Sequence, residues 1–285
     1  MPGLRESAIR RLMGLEEFPQ PPLIRTRYPV LLMHGFGILG GLRRGGHLHE
    51  EAMHLRLHGV LAYAPNVASY NTVAVRAAMW KNRIAHILDE TGADKINLVA
   101  QSMGGLDARY LISELGYHEV VASLVTISTP HRGTAIAEIM LKQPERLRKW
   151  AFDFANWMGT QSLEDADADT FQALTELSPA YVQETFNAQI LNHPSVRYWS
   201  YAGAAGKDTD IPINPFLKLP NTLLYAREGR NDGLVSVQSA KWGTFVEVID
   251  ADHAQQVGIP GLTTHAFDAN AFYCTVADHL RNEGF

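Results

Sequence analysis

Ile96-Asn97-Leu98-Val99-Ala100-Gln101-Ser102-Met103-Gly104-Gly105 decides how the rest of the chain is read. A short apolar run suited to a buried strand leads into small residue, any residue, Ser, any residue, Gly, and helical spacing follows. That is the pattern of a sharp strand-to-helix turn that lifts a serine hydroxyl to the mouth of a sheet. The bend needs small residues two before and two after the serine, because neighbouring backbone passes close. Ala100 fills the first of these positions where glycine is usual, an addition of one methyl. The plain alternative is a helix-start serine acting as an N-cap. It gives way because other elements of the same chemistry fall where that chemistry requires them.

Upstream, Tyr28-Pro-Val-Leu-Leu-Met33 reads as a buried strand, ended by His34-Gly-Phe-Gly37 and a glycine-rich loop to Gly46. A second strand is expected from Gly59 to Ala64. The spacing of Ala78, Met79, Ile84, Ile87 and Leu88 predicts a helix over 75–91, closed by Gly92. Downstream, the helix after Ser102 runs through Leu115, and a strand follows at Ser123–Ile127. Between about 135 and 198 only helical patterns occur, including an aromatic stripe of Leu147, Trp150, Phe154, Trp157 and Met158 after Pro144, and a helix start at Ser162. Strands are expected again at Val196–Tyr201, Asn221–Tyr225 and Thr244–Ile249, and a last helix at about Asp268–Arg281. Alternating strands and helices imply a mostly parallel sheet covered on both faces. The expected organisation is one α/β domain over residues 1–285 with a helical insertion at about 135–198.

Hydrophobic residues make up 46% of the 285, enough for a large core, and no apolar stretch reaches the roughly eighteen residues that span a bilayer. A net charge of −5 argues against a nucleic-acid partner, which needs a basic face. The single cysteine, Cys274, excludes an internal disulfide and is expected to pack within the last helix. Residues 1–14 interleave arginines with apolar side chains, so the segment reads as a short amphipathic helix and not as a secretory leader. The matching expectation is a cytoplasmic protein, or one exported without a cleaved leader.

A serine needs a base to act as a nucleophile at neutral pH, and the base needs an orienting carboxylate. The order Ser, acid, His points to Asp232 in Arg230-Asn-Asp-Gly-Leu-Val235 and to His253 in Asp250-Ala-Asp-His253. The plain alternative for Asp232 is an Asn-Asp-Gly turn residue; His265 and His279 are rivals to His253 among twelve histidines, but His279 falls in the last helix and His265 well past the strand end. Backbone N–H groups of Phe36 and Met103 are the expected oxyanion donors. His34 reads as a structural loop residue.

Tyr28-Pro-Val-Leu-Leu-Met-His-Gly35, Asn97-Leu-Val-Ala-Gln-Ser-Met-Gly-Gly-Leu106, Thr126-Ile-Ser-Thr-Pro-His-Arg-Gly133 and Asn231-Asp-Gly-Leu-Val-Ser236 together resemble the bacterial triacylglycerol lipases of the Pseudomonas and Burkholderia type. The resemblance runs from about Tyr28 to the C-terminus. It implies the α/β-hydrolase fold, hydrolysis of carboxylic esters of medium or long acyl chains, and a movable helical lid over an apolar pocket. It assigns Ser102, Asp232 and His253 to the triad, in agreement with the residues themselves. Phe36, Leu147, Trp150, Phe154 and Trp157 are the expected substrate-contacting side chains, although the aromatic stripe serves core packing as readily as a lid. An ester or lipid, met at an oil–water interface, is the expected partner.

The same resemblance implies one Ca²⁺ near the histidine loop, held by two aspartates that align with Asn214 and Gln255. Neutral amides there remove most of the attraction for a hard dication, so no metal and no cofactor is expected. Asp165-Ala-Asp-Ala-Asp169 with Glu176 only superficially matches a calcium loop, since Thr170 stands where the sharp turn needs glycine. An acidic first turn answering a helix dipole is the simpler reading. A carboxylesterase or polyester hydrolase, an acyltransferase and a non-catalytic binding protein are the alternatives to the lipase expectation.

Overall fold

The computed structural model describes residues 13, 21–37, 46–142, 145, 169–259 and 267–285. The first 12 residues, the loop at 38–45, the aromatic stripe at 147–158, the helix start at 162 and His265 lie outside the described residues. Six parallel strands form one sheet in the order β2-β1-β3-β4-β5-β6. They are β1 (Val30–Met33), β2 (Ala62–Tyr63), β3 (Ile96–Gln101), β4 (Val121–Ile127), β5 (Arg197–Gly203) and β6 (Thr244–Ile249). Among the described residues the α-helices of seven residues or more are α1 (His49–Leu57), α2 (Val73–Thr91), α3 (Gly104–Ser113), α4 (Ala135–Lys142), α5 (Thr170–Glu176), α6 (Lys218–Glu228) and α7 (Ala269–Asn282).

Successive strand side chains point to opposite faces, so a sheet covered on both sides needs unbroken apolar runs. In β1, Val30 and Leu32 join one core with Leu55 of α1 and Phe272, Val276 and Leu280 of α7. Leu31 and Met33 join the other, with Trp80, Ile84 and Ile87 of α2 and Leu111 of α3. Every residue of β3 and β4 is buried, and each such aliphatic side chain contributes about 1.5–3 kcal/mol. Helix α2 starts on the Thr72 side chain, which accepts from Val75 N, and stops at Gly92 with φ 65°. Asp268 caps α7 by accepting from Ala271 N at 3.0 Å.

The segment Asn221–Tyr225, expected as a strand, lies within α6. Its buried residues Pro220, Asn221 and Leu224 recur at helical spacing, while Leu219 and Leu223 face out. A five-residue segment with only Leu223, Leu224 and Tyr225 apolar fits either period, and Pro220 in the first helical turn forfeits no intrahelical bond. The second strand is confined to Ala62–Tyr63.

Beyond the C-terminal strand ends the ladder continues by one residue. Ser102 N donates to Ile127 O at 2.9 Å, Ser128 N to Tyr201 O at 3.0 Å and Ala204 N to Ile249 O at 3.0 Å. The site is built on this rim.

Candidate active site

Ser102 sits between β3 and α3 with φ 55°, a left-handed conformation that a side-chain-bearing residue adopts only under constraint. Its carbonyl accepts from Thr129 Oγ1 at 2.7 Å and from Gly105 N at 3.1 Å. The loop after β1 lies directly against the turn. A Cβ on Gly104 would stand 2.8 Å from His34 O, and one on Gly35 would stand 2.5 Å from Ser102 Cβ. Real carbons do not approach so closely, so both glycines are demanded by contact.

His253 and Asp232 converge on the serine. His253 Nε2 lies 3.0 Å from Ser102 Oγ, and Nδ1 lies 2.7 Å from Asp232 Oδ2. A carboxylate can only accept from the ring, so Nδ1 carries the proton and Nε2 offers its lone pair to the hydroxyl. Asp232 is completely buried. Burial pushes its carboxyl up, but the His253 charge and hydrogen bond, with backbone N–H bonds from Val235 and Leu234, outweigh that and hold it below the usual range. The two loops are also laced through the main chain, His253 N donating to Asp232 O at 2.9 Å.

Sequence reasoning did not single out two glutamines that complete this arrangement. Gln256 Nε2 donates to Asp232 Oδ2 at 2.9 Å, and Gln101 Nε2 stands 3.1 Å from His253 Nε2. Gln101 is adjacent to Ser102, the one signal that could have drawn attention to it. The Thr129–Gly133 stretch braces the same loops. Thr129 holds the Ser102 carbonyl, and the neighbouring Thr134 Oγ1 donates to Leu234 O at 2.6 Å.

Met103 is fully buried and Phe36 half-buried beside it. Among the hydrogen bonds of the described residues, none uses the N–H of either. His34 stays out of the reacting cluster. It accepts from Val67 N at Nε2 (3.1 Å) and donates from Nδ1 to Gly35 O (2.9 Å), which requires the neutral ring. Burial first, then His47 and Arg76, hold its pKa well below the ordinary value.

An apolar cavity of about 90 Å³ opens over Ser102 and His253, lined by Phe36, Met140, Leu174, Leu177, Leu234 and Val235. Helices α4 and α5 thus supply part of its wall. Of the five expected substrate-contacting side chains, Phe36 lines this cavity; Leu147, Trp150, Phe154 and Trp157 lie outside the described residues.

The positions that the resemblance assigns to calcium do not suit a hard cation. Asn214 Oδ1 accepts from Phe216 N at 3.1 Å and Gln255 Oε1 from Asp252 N at 3.0 Å, so both amide oxygens are engaged by main chain. The buried side-chain atom left over at Asn214 is Nδ2, a donor. Asp252 ties the loop together instead, accepting from Asn214 N (2.8 Å), Ala254 N (3.0 Å) and Gln255 N (2.9 Å). Asp169 caps α5 by accepting from Gln172 N at 2.9 Å, and Glu176 Oε2 accepts from Val73 N at 2.6 Å.

A parallel sheet whose third strand ends in a left-handed serine, answered by an imidazole and a buried carboxylate from later loops, is the architecture of hydrolases of the α/β class. The chain belongs to the alpha/beta hydrolase fold family, whose model matches residues 49–253. It is 28% identical over 254 residues to triacylglycerol lipase 2 of Saccharomyces cerevisiae, covering 81% of this chain and 72% of the relative. Triacylglycerol lipases of Pseudarthrobacter phenanthrenivorans and Burkholderia plantarii are each 32% identical over 184 residues, 60% of this chain. The match spans 55% and 49% of their lengths, about half. A metagenomic carboxyl esterase has the same fold, with TM-score 0.73 at 17% identity over 93% of this chain and 79% of that one. The mature lipase of Bacillus licheniformis gives 0.66 at 19% over 92% and 96%.

Proposed function

We propose that the protein is a serine carboxylic ester hydrolase of the lipase type. The observation that carries this reading is the unbroken line from Ser102 Oγ through His253 to Asp232, at 3.0 and 2.7 Å, beneath an apolar cavity. Ser102 Oγ attacks the ester carbonyl as His253 Nε2 takes its proton. The imidazolium then gives that proton to the leaving alcohol, and the acyl group stays on the serine. Asp232 orients the ring and offsets its charge without taking the proton. Phe36 and Met103 N–H groups meet the oxyanion, each such donor supplying on the order of a hundredfold or more in turnover. Water, activated by the same imidazole, releases the acid. Triacylglycerols with medium or long acyl chains, presented at an oil–water interface, are the substrates that this reading assigns.

The size of the cavity supports a second reading, a carboxylesterase acting on shorter esters, because about 90 Å³ is small for a long chain. Labelling with a fluorophosphonate, followed by peptide mapping, tests the nucleophile; modification at any residue other than Ser102 sinks the assignment. A p-nitrophenyl ester series separates the two readings. A maximum at eight carbons or more supports a lipase, and one at four or fewer supports the esterase.

A further inference from the structure

His54, His58 and Cys274 lie together on the opposite side of the molecule's chemistry. His54 and His58 are four residues apart, at the end of α1, and Cys274 comes from α7, which packs against it. Helix α1 connects parallel β1 to β2, so its C-terminal end is at the edge of the sheet away from Ser102. One ring nitrogen of each histidine and the cysteine Sγ all fall within 4.8 Å of one another. All three side chains are half-buried, so solvent reaches them while the core backs them.

We propose that these three residues form a binding site for a borderline-soft divalent metal ion of the zinc type, clasping α1 to α7. Two imidazoles and a thiolate are the donors such an ion prefers, and they exclude calcium and magnesium, which take oxygen. Tetrahedral ligands at zinc distances stand about 3.3–3.6 Å apart, so the cluster needs to contract by roughly an ångström, within the reach of side-chain rotation. His58 is already prepared for it. Its Nδ1 lies 2.8 Å from Pro22 O, which can only accept, so Nδ1 is the donor and Nε2 keeps its lone pair for a metal. A second-sphere carbonyl of this kind fixes tautomer and ring orientation at metal-binding histidines. The His54 ring is stationed beside it, 4.9 Å between centroids. Burial first, and then the neighbouring Asp268 that caps α7, push the Cys274 thiol up, so the sulfur is a thiol until an ion displaces its proton.

On binding, the S–H bond of Cys274 breaks, its proton leaves to solvent, and the sulfur electron pair forms the bond to the ion; no electron changes hands. Two neutral imidazoles complete three ligands, and water takes the fourth position. The clasp also reaches the segment before β1, because Pro22 holds His58 through its carbonyl and Ile24 N donates to His58 O at 2.6 Å.

The test uses the full chain, reduced and stripped with a chelator, and titrated with Co²⁺ and then Zn²⁺. One equivalent of Co²⁺ is expected to give a thiolate-to-cobalt charge-transfer band that Zn²⁺ bleaches. Zn²⁺ at a hundred times its Kd is expected to raise Tm by about 5 °C. Cys274→Ser should abolish the band, and His54→Ala and His58→Ala should each weaken Zn²⁺ binding at least tenfold. Unchanged ester hydrolysis by the variants would establish that they are folded. Absence of the band in the wild-type chain overturns the proposal, as does equally tight Zn²⁺ binding by Cys274→Ser, which would place the ion on other histidines.

Discussion

The Arg76 guanidinium meets the Asp107 carboxylate at 2.8 Å with both side chains fully sealed from solvent. Arg76 belongs to α2 and Asp107 to the first turn of α3, immediately behind Ser102. A second guanidinium nitrogen donates to His34 O at 2.7 Å and a third to Ala68 O at 2.8 Å, while Trp80 Nε1 donates to Asp107 Oδ2 at 3.1 Å. Arg76 therefore joins the helix behind Ser102 to the loop that carries Phe36.

Removing one member of a buried pair strands the other charge. Asp107→Ala is expected to cost about 3–5 kcal/mol in urea unfolding. It should also lower kcat, because the Arg76 guanidinium that holds the His34 carbonyl loses its own partner. A loss below 1 kcal/mol would mean that solvent reaches Arg76.

Gly35→Ala places a methyl 2.5 Å from Ser102 Cβ and 3.0 Å from its Oγ. Either the serine or the Phe36 loop must move, and a misplacement near 1 Å costs about a hundredfold. Turnover of p-nitrophenyl esters should fall by at least that factor, with Tm changed far less. Full activity would show that the loop yields freely.

Ser102→Ala should remove about 10⁶ in kcat, since members of a triad act as a unit. Asp232→Asn should cost about 10⁴ by favouring the wrong histidine tautomer. The double variant should be no worse than Ser102→Ala. Additive losses in single-turnover measurements would separate the two residues functionally.

Two buried histidines, His34 and His131, and the half-buried His47 should make the fold acid-sensitive. Burial and neighbouring Arg76 hold His47 down at about 4; burial, Arg109 and Arg132 hold His131 well below its ordinary value; and His34 is similarly low. Unfolded histidines titrate near 6.5, so below that pH the unfolded chain binds more protons than the native one. Stability is thus expected to fall as pH drops from about 6.5 toward 4, by up to about 1.4 kcal/mol per pH unit for each ring. Urea midpoints measured from pH 8 to pH 4 check this; a flat profile above pH 5 contradicts it.

Added Ca²⁺ and its removal with EGTA should leave kcat and Tm unchanged. Asp252→Ala, by contrast, strands three backbone N–H groups beside His253 and should cost about 1–3 kcal/mol. Activation by Ca²⁺ would reverse the assignment of the Asn214 and Gln255 amides.

The Ser102 turn was legible because its strand, its bend and its glycines are contiguous, each forced by local geometry. Asp232 and His253 were legible by order and loop context, although Asp232 follows α6 and not the expected strand. A run such as Asn221–Tyr225 satisfies two periodicities, and only packing chooses between them. Gln101, Gln256 and the Arg76–Asp107 pair could not be read in advance. Their partners are 24 to 152 positions distant, and polar side chains in a sequence do not declare that they will be buried.

The hydrogen-bonded rim formed by Ser102, Ser128 and Ala204 has a consequence for how the molecule comes apart. Ser102 is seated on β3 and β4, which are buried along their whole lengths beneath it. Amides in such positions open only when everything opens. Deuterium should therefore enter the outer helices long before it enters these three amides. Warming would erode the walls of the cavity first, so catalysis would fade while its floor still stood.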